Sequence, residues 1–545
     1  MKKIYLDLWS LSEEKDLNYW LETFEFPLSY SFYSKIQNDI EEIFDRVIDT
    51  YFDEEISDVL LIQYKFVLLL SNILYSWLIY QRMEDDKERE FVFSQKHIFY
   101  SFLERKNNFS DESVEQLIKP FPRLYNVEAV DLTLKDRLKL NGKRIKYWFR
   151  CNFPQVLFHP NIESKTVTVW PQEVMLNYFK RNNLVVYPQF PEDYLGQKML
   201  SAVSEDTGKI EELVDLIIKE FRILAKEKYF CNISEHFYSV LKKLIGDNLN
   251  YILRLYRLVK KEVARKKIKR FFRLSGGNSF MQMLGLAVIK NGGESIGFQH
   301  GHPILHDLSL YRWVEFSTVS KFNFYSLGSA EIAKSLLKKY PLYRKQKIEF
   351  GSVESEHFIN FYKKRPIGRK CKINPSVMFI GECYRNSLVV FWDSIIALEL
   401  ESRIIKELKN IGFRVLYKPH PEGIYKTGVI KKIFNKLNIE IVDGTFEDVM
   451  DMTDIYFFTS ICTTAIGYAI TSNKPIVALR IPLEQVLPGQ RELLEKRIIF
   501  VDTFEDDRGR VFFDIQELKD AFNMAITENI DHSFFWNYMV PQNLK

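Results

Sequence analysis

Cysteine is scarce in this chain of 545 residues: there are five, at positions 151, 231, 371, 383 and 462, an odd number, far apart and nowhere spaced C-x-x-C. That excludes a disulfide framework and a thiolate zinc site, and it fits a reducing compartment. A charge excess of one sign is also lacking. Lys+Arg 76 against Asp+Glu 72 leaves a formal +4, too even for a protein that grips nucleic acid through bulk charge. Glycine (22) and proline (18) are spread along the chain, with no long linker, internal repeat or low-complexity tract. The most apolar stretch, 59–80, is interrupted by Gln63, Lys65, Ser71, Asn72 and Ser76. A spanning helix needs about 20 mainly apolar residues, so a buried core helix is the expectation. The first 17 residues have two lysines but no apolar core, and Asp7, Glu13 and Glu14 break them up. A signal peptide is therefore not expected, and a cytoplasmic location is. Missing too are G-x-x-x-x-G-K-[ST], G-x-S-x-G, H-E-x-x-H and a D-x-D after an apolar strand. The first three absences remove the common phosphate loop, nucleophile elbow and zincin site. The last leaves metal-dependent sugar transfer of the single-domain type without support.

What is present is a chain 46% hydrophobic and 27% charged, enough apolar surface for two to four domains with large cores. Residues 252–273 carry ten Lys/Arg and one acid among Leu, Val, Ile and Phe at helical spacing. Two readings are open: a basic amphipathic helix on an anionic membrane surface, or a solvated helix packing its Leu/Val stripe on a core.

Periodicity divides the chain. Residues 1–10 suggest a strand, 12–119 mostly helix, 126–194 a mixture with strands at 166–170 and 183–188, and 209–273 helix again. From 276 the pattern is short apolar runs between amphipathic helices. A glycine turn leads into a helix capped near Asn278 or Ser279, followed by a strand at 295–301. Further strands are expected at 377–382, 413–418, 439–442, 454–460 and 475–479, with helices at 393–410, 427–437, 446–451 and 463–471. Apolar strands alternating with helices predict a parallel, doubly wound sheet, whose ligands sit beyond the strands' carboxyl ends.

Three polar constellations fall at such ends. The first is Gln299-His300-Gly301-His302, with His306 and Asp307 behind: three of the chain's nine histidines within seven residues. Imidazole suits removal of a hydroxyl proton near neutrality, and glycine admits close backbone approach. A metal site and an incidental polar turn are the competing readings. The second is Lys418-Pro419-His420-Pro421-Glu422, a cation, an imidazole and a carboxylate in a proline-restricted loop; it reads as a nucleotide phosphate and sugar site, or as a simple turn. The third, Ser460 with Thr463 and Thr464, offers hydroxyls and free N–H groups at a helix start. Ordinary helix capping is the alternative there.

In order and spacing these pieces resemble GT-B transferases of bacterial surface-polysaccharide synthesis. The likeness is to the capsule and CDP-glycerol glycerophosphotransferase-like group and to CMP-Kdo and CMP-sialate transferases, and more loosely to transferases of O-antigen clusters. It rests on Gln299-His300-Gly301, Phe350-Gly351-Ser352, Lys418-Pro419-His420-Pro421, Asp454 through Ser460 with Thr463-Thr464, and Lys474-Pro475-Ile476. It covers about 276–525. The chain departs from it at Phe458-Thr459, where an aspartate-tyrosine pair is usual, and at His302 and Asp307, where a lysine is usual.

The resemblance implies a GT-B-like α/β fold of two Rossmann-like domains facing a cleft, with helical additions in the N-terminal half. Residues 1–275 and 276–370 would form the acceptor side, and 371–545 the nucleotide-sugar side, with a hinge near 365–375. It implies sugar transfer from a nucleotide-activated donor, CMP-linked ulosonic acid first, to a lipid-linked or polysaccharide acceptor of O-antigen, lipopolysaccharide or capsule. Transfer would proceed with inversion and without metal or cofactor. Lys418, His420, Glu422, Ser460, Thr463 and Thr464 would hold the donor. His300 or Asp307 would take the acceptor's proton, and Gln299, Gly301, His302 and Ser352 would touch substrate. Nucleic acid is not expected as a partner; peripheral contact with the inner face of the cytoplasmic membrane through 252–273 is. Alternatives are a CDP-glycerol-type polyol-phosphate transferase, an epimerase-like enzyme and a non-catalytic nucleotide- or polysaccharide-binding module.

Overall fold

The computed structural model describes residues 2–51, 55–63, 65–94, 134–152, 161–169, 171–191, 194, 207–274, 278–299, 315–325, 327–337, 347–353, 355–365, 375–384, 393–421, 428–481, 488–506, 510–527 and 529–540.

The N-terminal elements are β1 (Lys2–Tyr5), α1 (Leu8–Ser12), α2 (Leu17–Glu22), α3 (Tyr30–Thr50), α4 (Glu55–Ile62), α5 (Lys65–Asp85) and β2 (Arg89–Val92). The expected strand at 1–10 is thus only four residues long, because the Asp7 carboxylate caps a helix by accepting from Ser10 N at 2.8 Å. A second strand, β2, lies inside the region read as helical and pairs in parallel with β1. The apolar stretch 59–80 is split between α4 and α5, bent by 61°, and lies in the core. Among the described residues no single helix is long and apolar enough to cross a membrane, although this bent pair passes on composition.

The first large sheet uses β3 (Asn161–Thr168), β4 (Leu184–Pro188), β5 (Ile268–Arg273), β6 (Glu294–Phe298), β7 (Lys321–Phe324) and β8 (Glu349–Ser352). They stand in the order β4-β3-β5-β6-β7-β8, all parallel. Its helices are α6 (Leu134–Asn152), α7 (Glu173–Arg181), α8 (Thr207–Ile223), α9 (Glu235–Arg265), α10 (Ser279–Lys290), α11 (Leu327–Leu337) and α12 (Glu356–Lys364). The basic stretch 252–273 is not one helix. Helix α9 stops at Arg265, Lys267 turns with φ 53°, and 268–273 enters the sheet as β5. Its Leu253, Tyr256, Val259 and Val263 are buried, with α9 packed on α4 and α10. The apolar face that membrane contact requires is therefore occupied within the protein.

The second large sheet contains β9 (Ser376–Ile380), β10 (Arg414–Lys418), β11 (Glu440–Ile441), β12 (Ile455–Phe458), β13 (Ile476–Arg480), β14 (Ile498–Glu505) and β15 (Val511–Phe513). Its order is β11-β10-β9-β12-β13-β14-β15, parallel except for the last pair. The covering helices are α13 (Ser394–Ile411), α14 (Val429–Lys436), α15 (Phe446–Val449), α16 (Thr464–Thr471), α17 (Pro488–Glu495), α18 (Ile515–Thr527) and α19 (Ser533–Tyr538). Strands β9 and β12 are buried on both faces, as apolar, unalternating runs in a parallel sheet demand. Side chains nevertheless divide by period two: Phe379, Tyr417 and Phe457 pack into one core, and Met378, Ile380, Leu416, Tyr456 and Phe458 into the other. Local signals set the helix ends. Asp393 caps α13 by accepting from Ile395 N at 2.9 Å, and Gly412 ends it at φ 105°, a conformation glycine reaches without strain. Each large sheet is Rossmann-like, and each reverses strand order once, at β3/β5 and at β9/β12.

Candidate functional site

Lys418, Ile380 and Phe458 stand side by side as the last residues of β10, β9 and β12. Gly381 N donates to Lys418 O at 2.9 Å, which keeps the next residues aligned. His420, Glu382 and Ser460 therefore leave three adjacent strand ends at the point where the strand order reverses, the place where open α/β sheets bind ligands.

The two donor-site motifs read from the sequence in this sheet meet here. Lys418 is buried, and its Nζ donates to Pro419 O at 2.7 Å, fixing the turn that carries half-buried His420. Burial pushes the lysine's pKa down, while Asp443 and Glu447 work against that shift. Half-buried Ser460 accepts from Cys462 N at 3.1 Å. Thr463 is the N-cap of α16, accepting from Ala465 N at 3.4 Å. A hydroxyl that accepts from backbone keeps its own proton to donate, so Thr463 serves as cap and still has a hydrogen for an anion. Thr464 follows it, exposed, on the first turn of the helix.

Beneath these loops lies a group of residues that sequence reading missed. Fully buried Glu401, on α13, accepts from Tyr417 Oη at 2.7 Å, from Glu382 N at 2.7 Å and from Tyr384 Oη. The Thr459 hydroxyl is 3.2 Å from Glu382 Oε1 and 3.4 Å from Glu401 Oε1, one proton between two carboxyls. Burial pushes Glu401 up to about 8 and Glu382 up to about 7; the hydrogen bonds to each carboxyl oppose the rise, and the neighbouring Glu382 adds to it for Glu401. Both carboxyls thus carry a proton well above the usual carboxylate range. Gly381 makes room for this network, because a Cβ there would overlap the Tyr417 phenol.

Opposite α16 are the carboxyl ends of the first sheet. A cavity of about 200 Å³ lies between them, walled by Gln172, Glu173, Leu274, Gln299, Tyr325 and Glu356 on one side and by Thr464 and Tyr468 on the other. Small-molecule sites usually measure roughly 300–1,000 Å³, so this described space suits a sugar ring better than a whole nucleotide sugar. Glu356 is bound by Asn177 Nδ2 at 3.0 Å and by Arg181. Among the described residues Glu173, exposed at the start of α7, makes no hydrogen bond or ion pair; its charge acts on Tyr468 across the cavity. Gln299 is fully buried; its Oε1 accepts from Tyr325 N and its N–H donates to Asn323 O, both at 2.9 Å, so it stitches the ends of β6 and β7 while walling the cavity. Ser352 ends β8, half-buried and outside the cavity wall. His300, Gly301, His302, Asp307 and Glu422 lie outside the described residues.

Glu382 was within reach of sequence reasoning, since VMFIGE ends an apolar strand that the order of elements makes central. Glu401 was not: within ALELESR nothing separates it from a solvated helix glutamate. Glu173 could have been found only by knowing that β3 borders the reversal of the first sheet.

No family model matches the chain, and no curated protein matches it. Solved structures similar to it include UDP-GlcNAc 2-epimerase of Methanocaldococcus jannaschii (TM-score 0.35, 11% identity, 68% of this chain and 95% of that one). Others are an α,α-trehalose-phosphate synthase from Burkholderia vietnamiensis (0.34, 8%, 67% and 91%) and MurG of Acinetobacter baumannii (0.31, 10%, 68% and 97%).

Proposed function

We propose that this chain is a glycosyltransferase taking its sugar from a nucleotide-activated donor. The observation that carries this is the convergence of His420, Glu382, Ser460 and the start of α16 at the reversal point of one sheet, across a cavity from the strand ends of another. A helix N-terminus with hydroxyls beside it favours the charge that grows on a departing phosphate. Thr463, Thr464 and Ser460 would take the phosphate oxygens, His420 the donor's phosphate or ribose, and buried Lys418 would hold the turn and add positive potential. Glu422 would accept ribose hydroxyls. The acceptor's proton would go to His300 or Asp307, as the resemblance implies, or to Glu173, the exposed carboxylate that lines the cavity opposite α16. Displacement in line from that side gives inversion. The motif resemblance favours a CMP-linked ulosonic acid donor, no metal, and an acceptor of O-antigen or capsule synthesis at the cytoplasmic side of the membrane.

The test is thermal-shift titration with CMP, CDP, UDP, GDP and their sugar conjugates, with and without magnesium, followed by transfer assays on the donor found. A ligand at 100 times its Kd adds about 2.7 kcal/mol of apparent stability. We expect a shift with cytidine nucleotides that His420→Ala removes. Loss of the true base, tested with His300→Ala, Asp307→Asn and Glu173→Gln, should slow transfer about 10²–10⁴-fold with donor binding intact. No nucleotide shift at all would overturn the reading, and turnover of donor without acceptor would replace it with an epimerase.

A further inference from the structure

Helix α6 packs on β4, the edge strand of the first sheet, and on α7. Its last residue, Asn152, docks it like an extra strand: Nδ2 donates to Val186 O at 2.8 Å and Oδ1 accepts from Val186 N at 2.7 Å. Leu140 and Cys151 face inward and are buried. The opposite face is also apolar. Leu138, Ile145 and Phe149 are 65%, 59% and 54% exposed, and spacings of seven and eleven residues put them on one stripe, within about 40° at 100° per residue. Cations line that stripe. At the same 100° per residue, Lys135, Lys146, Lys139 and Arg150 follow one another about 60–120° round from its centre, on one flank. In all, α6 carries seven Lys/Arg against Asp136 alone. That net of +6 lies on 19 residues of a chain whose formal total is +4.

A helix that has already buried one apolar face gains nothing in folding from a second one in water. We propose that α6 is a membrane-docking helix: it lies flat on an anionic bilayer, with Leu138, Ile145 and Phe149 in the headgroup boundary and the flanking lysines and arginines on lipid phosphates. Apolar residues beside a basic margin match the depth profile of such a surface, with acyl chains below and negative headgroups beside. The stretch 252–273 lacks the first requirement, since its apolar face is spent on the core. The inference is independent of which donor the enzyme uses.

Sedimentation of the full chain with vesicles tests it. The protein should pellet with phosphatidylcholine–phosphatidylglycerol vesicles and not with phosphatidylcholine alone. Binding should weaken as salt shortens the screening length from about 10 Å at 0.1 M to about 3 Å at 1 M. Neutralising Lys139→Gln and Lys146→Gln should each lower partitioning about fivefold, the equivalent of about 1 kcal/mol per cation. The triple variant Leu138→Ser, Ile145→Ser, Phe149→Ser should abolish binding with the melting temperature unchanged. Lys261→Gln and Lys269→Gln, exposed within 252–273, should change nothing. Failure of the wild type to bind anionic vesicles, or full binding by both sets of α6 variants, would overturn the proposal. So would a wild-type dimer that the triple variant turns into monomer, since a second copy would then be the occupant.

Discussion

Glu401 shows how much one side chain can hold. It gathers two phenols, a backbone N–H and a share of the Thr459 hydroxyl while fully buried. With Glu401 raised to about 8 and Glu382 to about 7 from the usual 4.5, the folded state binds more protons than the unfolded chain between those values. Stability must then fall as pH rises through that window, by about 1.4 kcal/mol per pH unit for Glu401 alone. Melting temperatures from pH 5 to 8.5 should decline in the wild type and decline less in Glu401→Gln, which keeps an acceptor for the tyrosines. Parallel curves would mean that Glu401 does not hold its proton. Because Glu382 reaches the donor loops, nucleotide binding should share this pH dependence.

At the scale of the element, strand and loop are locked together by shape. Gly381 follows β9 and lies against Tyr417, whose ring packs on Phe379 and Phe434 and whose hydroxyl is held by Glu401. Gly381→Ala should therefore destabilise by about 1–3 kcal/mol, an overpacking effect, and should weaken donor binding because Glu382 moves with the backbone. Denaturant midpoints and nucleotide titration of the same variant measure both; an unchanged midpoint would show that Tyr417 yields easily. Strands β9 to β13 and helices α13 to α16 were legible in the sequence to within two residues, whereas β14, β15, α17 and α18 were not read from it. Alternation of apolar runs with capped helices is a local property, and Asp393, Gly412 and Asn278 act on their nearest neighbours. The stretch 252–273 misled for the same reason. Helical spacing continues through Arg265 into IKRFFR, and only pairing with β3 and β6 makes those six residues a strand.

Across the whole molecule, the two sheets are bound together at both ends of the described chain. Helices α1 and α2 lie on α14 and α13 of the second sheet, with Arg510 reaching Leu21 O, while α3 packs on α8 beside the first. At the other end Phe535 of α19, fully buried, stacks on Tyr362 of α12 at 4.5 Å, and Trp536 Nε1 donates to the Tyr362 hydroxyl at 3.2 Å. Gly467 of α16 meets Phe358 of α12 so closely that a Cβ would come within 2.5 Å of the ring. Phe535→Ala should cost about 3–5 kcal/mol. If the clasp joins the sheets thermodynamically, it should also split one calorimetric transition into two. One peak that merely moves down would show that the other contacts suffice. The hinge expected at 365–375 lies mostly outside the described residues; Arg365, at its edge, donates to Asn473 Oδ1 at 3.1 Å.

By itself the sequence determined the Rossmann-like character of the second half, the strand ends that carry polar residues, and the lack of C-x-x-C and phosphate-loop motifs. All of these are written in short windows, where periodicity, capping and composition act. The tertiary structure alone decided which strand ends are neighbours, that Glu401 and Glu382 share a buried hydroxyl, that Glu173 faces α16, and which basic helix keeps an apolar face for the outside. Those depend on strand order and on burial by distant segments, and a residue's exposure is fixed by what packs on it rather than by the residues beside it in the chain.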